Sequence, residues 1–411
     1  MRAMAMRLAI GLILLSLPLA NGEAQQADPA ISAIINQTNL DSLTFFVREL
    51  SGETATTING QRDTLASRHA GSKGNQAASW YLAEKLSSYG LPVTVQAYSA
   101  SGTNVYAVQT GVDFPDLTYI VCAHYDDEPS TGAAPGADDN ASGTAAVLET
   151  ARILSRYKTA FTMVYALWDE EESGLVGSKY FAQQAFNNKD SLLGVINLDM
   201  LGWDSNDDGL TEVHTKNTSR SIELADTVLL VNQLYGIGLK PALRNPGTTG
   251  SDHASFWQKG YSAVLLIEAY AGGDFNSHYH TSTDRLQFFN QAFYHRAAKL
   301  TLGTMAFLAG IKATTTDEET PAMPRVFALE QNYPNPFNPS TTVEFSLPHA
   351  ATVNVEVFNV LGEKVATLVA GQLPAGRHRT VWNASGAGSG VYFYRMLAGD
   401  YSDTRRMMLV K

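Results

Sequence analysis

Histidine and carboxylate residues recur in this sequence directly behind apolar runs. His124-Tyr125-Asp126 follows the run Thr118–Ala123, Asp169-Glu170-Glu171-Glu172 follows Phe161–Trp168, and Asp199 follows Leu192–Leu198. A further acidic stretch between Pro135 and Gly143 contains Asp138, Asp139 and Asn140. Carboxylates gathered in one place repel each other unless a cation neutralises them. A mixed set of imidazole nitrogen and carboxylate oxygen suits a borderline metal such as zinc. Any one of these acids alone reads as a solvated loop residue or, for Asp139 and Asn140, as a helix cap. Their repetition behind successive runs is what points to a metal centre.

The elements that would carry them alternate in type. Thr118–Ala123, Phe161–Trp168, Leu192–Leu198 and Ala263–Ile267 are nearly continuous apolar runs of strand length. Helical patterns cover Ile31–Leu50, Lys73–Tyr89, Gly143–Tyr157, Ser219–Tyr235 and Thr283–Leu308. Continuous apolar strands between helices predict an α/β domain over residues 25–312, with a mostly parallel central sheet flanked by helices. Ligands of such sheets sit beyond the carboxyl ends of the strands. The histidine and carboxylates fall there.

The chain has 411 residues, 29 Lys+Arg against 40 Asp+Glu, a net charge of −11 and a single cysteine. That length suggests two or three domains, and 45% hydrophobic with 17% charged residues excludes a disordered chain. The acidic balance argues against a nucleic-acid partner. One cysteine excludes a disulfide framework, and Cys122, inside an apolar run, reads as a buried, inert thiol. Residues 1–24 have the pattern of a secretory signal: Arg2 and Arg7, the apolar run Leu8–Ala20, and small residues that place the cut after Ala24. The run is short for a membrane span and no later segment approaches one, so no stable span is expected. Asp204-x-Asn206-x-Asp208-Gly209 opens like a calcium loop, but residue 215 is Thr where such a loop needs Glu, so a simple turn is expected.

Beyond residue 312 the texture changes. Ala313–Arg325 is rich in Thr, acid and Pro, which marks a linker over 313–326. From 327 to 411 come short runs such as Val353, Val355 and Val357 alternating with Asn354 and Glu356, which predicts an all-β, immunoglobulin-like sandwich. Leu329–Ser340, the Asn359-Val360-Leu361-Gly362 turn and Gly390–Tyr394 resemble the type A sorting domains of type IX secretion cargo. The resemblance implies passage through the periplasm and across a Gram-negative outer membrane by its secretion machinery. The destination would be the medium or the cell surface.

The central motifs resemble the bacterial zinc aminopeptidases of leucyl aminopeptidase type, which carry two adjacent zincs. The matching pieces are His124-x-Asp126, Gly136 to Gly143, Glu171-Glu172-Ser173-Gly174-Leu175-x-Gly177-Ser178, Asn197-Leu198-Asp199-Met200, Ser251-Asp252-His253 and His280-Thr281-x-x-Asp284, with Arg68–Ser72 upstream. Carried over position by position, the resemblance makes Asp139 a bridge between two Zn2+ ions. His124 and Asp199 would complete one site, and Glu172 and His280 the other. Asp126 would orient His124, and Glu171 would be the general base for an activated water. The implied substrates are peptides with free N-termini. Met200, Phe256, Tyr270 and Phe275 lie near these motifs and are candidates for a pocket taking a Leu-, Met- or Phe-like side chain, with core positions as the alternative. Asp169 and Glu170 read as flanking acids, Asp138 as exposed or a neighbour of a ligand, His278 as a competing ligand that the His-Thr-x-x-Asp pattern sets behind His280, and Asp252 and His253 as supports. Two departures stand out: Gly247-Thr248-Thr249-Gly250 lacks the tyrosine and disulfide of some relatives, and Asn140 stands where some have Asp. The alternatives are a single-zinc glutaminyl cyclase-like acyltransferase on the same fold, a carboxypeptidase, and a non-catalytic secreted binding protein.

Overall fold

The structure is a computed structural model, and it describes residues 26–129, 132–311, 326–332 and 335–410. The expected signal over 1–24 and residues 313–325 of the expected linker lie outside them. In chain order, α1 (Pro29–Ile35) and α2 (Leu40–Leu50) precede a small hairpin, β1 (Thr56–Ile58) and β2 (Gln61–Asp63). Then come α3 (Lys73–Ser88), β3 (Val93–Ala97), β4 (Thr103–Gln109), β5 (Phe114–His124), α4 (Gly143–Leu154), β6 (Phe161–Trp168), α5 (Val176–Asn188) and β7 (Ser191–Leu198). The first unit ends with β8 (Leu210–His214), α6 (Ser221–Leu234), β9 (Lys240–Arg244), α7 (His253–Gln258), β10 (Ala263–Ile267) and α8 (Gln291–Ala309).

Eight strands form one sheet in the order β3-β4-β6-β5-β7-β10-β8-β9. The centre, β6-β5-β7-β10, is parallel throughout, and the outer strands add antiparallel pairings. Both faces are covered, which explains the unbroken apolar runs. Along β5, Val121 and Ala123 join the larger core with α2, α4 and α8, while Ile120 and Cys122 join a second core with Trp168, Phe181 and Phe256. A two-residue period thus divides one strand between two helix layers. Helix α4 is buried along its whole length.

Two predicted helices depart from their patterns by more than a few end residues. Ile31–Leu50 breaks after Ile35, because Asn39 turns its side chain to accept from Ser42 N–H and starts a new helix. Thr283–Leu308 begins only at Gln291, capped by Asn290 on Phe293 N–H. Ahead of it Leu286–Phe288 form one short 3-10 turn, and Asp284 ties the chain to the Asp138–Asp139 loop. Cys122 is buried. Asp204 and Asn206 spend their side-chain oxygens on N–H groups of Asp208 and Gly209, as an Asp/Gly turn does.

The second unit has two antiparallel sheets. One is β11 (Ala328–Leu329), β12 (Ser340–Leu347) and β15 (Gly376–Asn383); the other is ordered β14 (Lys364–Leu373), β13 (Ala351–Phe358), β16 (Gly390–Ala398), β17 (Tyr401–Leu409). Val343, Phe345, Val353, Val355, Val357, Tyr394 and Met396 fill the space between them, an all-β core built by alternation. Among the described residues no helix is long and apolar enough to cross a membrane.

Candidate metal centre

The parallel strands all deliver their carboxyl ends to one edge. His124 is the last residue of β5, Glu171 and Glu172 follow β6, and Asp199 follows β7. Asp139 comes from the turn between β5 and α4, and His280 from the loop after β10. The structure brings all of these together. Donor atoms of His124, Asp139 and Asp199 lie within 4.8 Å of one another, as do those of Asp139, Glu172 and His280, and those of His124, Glu171 and Glu172. Asp139 stands between the two histidines: its Oδ1 is 3.3 Å from His124 Nε2 and its Oδ2 is 3.1 Å from His280 Nε2. His124 Nε2 is also 3.3 Å from Asp199 Oδ1, and His280 Nε2 is 3.0 Å from Glu172 Oε1.

The sequence around these side chains fixes their backbones. Asp126, fully buried, accepts the N–H of Glu171 on Oδ1 and of Glu172 on Oδ2, both at 3.1 Å, and its Oδ1 lies 3.4 Å from His124 Nδ1. Asp284 accepts the N–H groups of both Asp138 and Asp139 at 3.0 Å, which ties the bridging loop to the His280 loop. Ser251 donates to Asp199 Oδ2 at 2.6 Å and is itself held by Asn197. The Arg68 guanidinium, fully buried, donates to the carbonyls of Tyr125, Pro135 and Gly136. Asn140 links the loop to Leu198 O and caps Gly143 N–H, and a Cβ at Gly143 would come within 2.4 Å of Asn140 Oδ1. Met200 and His280 have positive φ of 52° and 53°, a backbone cost that persists only where surroundings enforce it.

The charge balance favours a cation. Among the described residues, the ion-pair partners of Asp139, Glu172 and Asp199 are the two imidazoles. Burial pushes the Glu172 carboxyl up to about 8, repulsion from Asp139 adding to it against the pull of His280. Burial likewise lifts Glu171 well above the usual carboxylate range, opposed by His124 and reinforced by its acidic neighbours. Asp139 goes down, because hydrogen bonds from His124 and His280 outweigh its burial. Burial works against charging His280, yet Asp139 and Glu172 bring it up to about 10. Protons therefore crowd onto nitrogen and oxygen atoms that are good metal donors, and the donor set fits a metal pair sharing Asp139.

A small cavity of about 70 Å3 opens beside these groups, lined by Met200, Thr248, Tyr270, Phe275 and Tyr279 among others. Of the apolar candidates, Met200, Tyr270 and Phe275 reach it. Phe256 does not: it is fully buried against Trp168 and Phe181, because α7 turns it into the second core. Tyr279 was not singled out in the sequence, although it precedes His280 and its ring stacks on that imidazole at 3.7 Å. Asp138 is not exposed but buried, because its carboxylate accepts from Gly202 N–H and Asn276 beside the bridging loop. Asp169 is buried and accepts from Asn75 and Thr103 N–H, Glu170 pairs with Ser101, and His278 stacks on Phe288. None of these adds a donor to the cluster. A wider cleft of about 540 Å3, lined by Phe161, Leu192 and Tyr235 among others, opens at the opposite ends of the strands.

Residues 104–305, which span every donor named above, match the model of peptidase family M28, and residues 331–411 match the secretion system C-terminal sorting domain. A probable zinc metalloprotease of Pyrenophora teres f. teres (strain 0-1) is 30% identical over 335 residues, covering 72% of this chain and 70% of its own. The fold is similar to the LapA aminopeptidase of Legionella pneumophila, with a TM-score of 0.59 at 20% identity over 71% of this chain and 78% of that one. It is also similar to a glutaminyl cyclase of Bacteroides thetaiotaomicron, with a TM-score of 0.53 at 19% identity over 65% and 97%. With that extent of identity to a relative, and the family match lying over the whole donor cluster, the chain belongs to peptidase family M28.

Proposed function

We propose that this protein is a secreted metallo-aminopeptidase that uses two zinc ions to remove N-terminal residues from peptides. The observation that carries the reading is the placement of Asp139, one carboxylate oxygen toward His124 and the other toward His280. His124, Asp139 and Asp199 would hold one ion, and Asp139, Glu172 and His280 the other. Five protein side chains for two ions leave room for water and substrate, as a catalytic rather than a structural site requires. Zinc bound in this set supplies Lewis-acid polarisation of the scissile carbonyl and acidification of a water.

The chain's own groups do the rest. Glu171, buried beside the donors, acts as a carboxylate that takes a proton from the attacking water and, once protonated, passes it to the leaving amine. Asp126 keeps the Glu171–Glu172 backbone and the His124 ring in register. The acidic cluster holds a free substrate α-amine. The cavity, at about 70 Å3 and walled by Met200, Phe275 and Tyr279 among others, would receive one substrate side chain. Residues 25–312 form the catalytic unit, with 1–24 as signal, 313–326 as linker and 327–411 as the sorting sandwich. The sandwich addresses the protein through the periplasm to the outer-membrane secretion machinery.

The similarity to a glutaminyl cyclase supports a second reading, a single-zinc acyltransferase. One experiment separates them. Metal content is measured on the purified protein, and leucyl-p-nitroanilide is offered with a free and with an acetylated amine, before and after chelation. Two zincs per chain and chelator-sensitive release from the free amine alone are expected. One zinc, no release, and cyclisation of Gln-initiated peptides would replace the proposal with the cyclase. An apo protein that binds peptides without cleaving them would replace it with the binding protein.

A further inference from the structure

Two loops, residues 247–251 and 269–279, contribute Thr248, Tyr270 and Phe275 to the lining of the cavity, and one buried carboxylate is linked to both, directly to the second and through His214 to the first. Glu212, on β8 and fully buried, accepts the N–H of Ala271 at 3.0 Å and the Nε2–H of His214 at 2.8 Å on the same oxygen. Its other oxygen accepts from the Arg244 guanidinium on the neighbouring strand β9, with Nε at 3.0 Å. His214 lies two residues along β8 and so on the same face. Its Nδ1 accepts the N–H of Thr248 at 3.0 Å.

Thr248 is held from the other side as well. His253 Nε2 donates to the Thr248 carbonyl at 2.9 Å, and Gly247 N–H donates to Thr215 O at 2.7 Å. Gly247 has to be glycine, since a Cβ there would come within 2.7 Å of the His214 Cβ. The chain's single cysteine is Cys122, buried in the sheet, so no disulfide can restrain this loop. Two neutral imidazoles and one carboxylate do it instead. The arrangement requires the His214 proton on Nε2, and burial keeps that imidazole below its usual value against the pull of Glu212.

We propose that Glu212, His214 and His253 are positioning residues that fix Thr248 and Tyr270 on the two walls of the cavity and so set which N-terminal side chains it takes. This rests on the peptidase reading above. None of the three touches a metal donor in the cluster, so their effect should fall on side-chain selection and not on metal binding.

The test compares His214→Asn, His214→Gln and His214→Leu in the full exported protein, with leucyl- and alanyl-p-nitroanilide. Asn can place an oxygen where Nδ1 stands and keep the bond to Thr248; Gln reaches Glu212 but not Thr248; Leu makes neither bond. His214→Leu and His214→Gln should lose about tenfold in kcat/KM for the leucyl substrate, the scale of one hydrogen bond realised in the reacting complex, with little loss for the alanyl one. His214→Asn should keep the wild-type leucyl-to-alanyl ratio within about twofold, and all three should bind wild-type amounts of zinc. If His214→Leu does not fold, the contrast between the two amides decides. An active wild type with the same ratio in every variant overturns the brace and leaves the function standing. A wild type that cleaves neither substrate overturns the functional reading, and the brace falls with it.

Discussion

Replacing Asp126 by Asn tests whether the metal cluster depends on a residue that is not itself a donor. The carboxylate accepts two backbone N–H groups, from Glu171 and Glu172, each at 3.1 Å, and stands 3.4 Å from His124 Nδ1. An amide keeps one oxygen for one of these N–H groups and turns its own NH2 toward the other, so at least one charge-assisted bond is lost. Hydrogen bonds to charged acceptors contribute about 1.5–3 kcal/mol, and Asp126 is fully buried, where water does not compete. The loss corresponds to about 10- to 150-fold, the range seen when groups supporting metal ligands are removed. Because the two amides belong to the proposed base and to a proposed ligand, the loss should divide between kcat at saturating zinc and zinc affinity. Both are measurable on one sample, by steady-state kinetics and by competition with a chromophoric chelator. If both stay within about twofold of wild type, Asp126 does not position the Glu171–Glu172 segment and the account of the site is wrong.

Other expectations follow from the same geometry. Glu171→Gln should lower kcat by about 100- to 10,000-fold, the usual share of general acid–base catalysis, while zinc content stays unchanged; a parallel loss of zinc would make Glu171 a ligand instead. Removing zinc with a chelator should lower Tm, and restoring it to about 1,000 times its Kd should return about 4 kcal/mol; a Tm indifferent to chelation would deny the site a resident metal. Burial holds His253 down to about 3, the bond to Thr248 O opposing, so its folded pKa lies below its unfolded one. Stability tied to this residue is therefore present above about 6.5 and is lost as pH falls toward 3. The Tm of the metal-free protein should accordingly drop more steeply from pH 6.5 to 4.5 than that of His253→Gln, which cannot take up the proton; equal slopes would count against a buried neutral His253. Deleting residues 327–411 should leave peptide hydrolysis intact and abolish export from a host with type IX secretion, read by activity in the medium against activity in the cell.

What was legible in the sequence was whatever a local pattern encodes. β6 and β10 begin and end where their apolar runs do, because a strand covered on both faces has no polar position to blur its limits. The strands outside the parallel centre, β3, β4, β8 and β9, carry no such signal, because their residues mix polar and apolar types. His124, Asp199 and the acidic run Asp169–Glu172 are legible for the same reason as the strands, each standing at or just beyond the end of one, while only the resemblance to a known family picks Glu172 out of that run. Asp139 sits in an acidic loop that the sequence also shows, though only the resemblance chooses it over Asp138, and His280 rests on the resemblance alone.

The least legible residues are those whose role depends on chain distant in sequence. Asp284 lies beside His280, but its carboxylate serves the amides of Asp138 and Asp139, and nothing near residue 284 announces that. Glu212 and His214 carry a strand's alternation and no motif, yet between them they hold two loops that line the cavity. Phe256 illustrates the reverse error: proximity to Ser251-Asp252-His253 suggested a pocket residue, but one turn of helix is enough to swing a side chain from the site into the core. Metal donors can be found from sequence because their chemistry restricts the residue types allowed. The residues that hold a pocket open need only a donor or an acceptor in the right place, and many residue types can supply one. Substrate range in this protein should therefore be more sensitive to positions such as His214 than sequence motifs suggest, whereas the reaction itself should depend on the donors and Glu171.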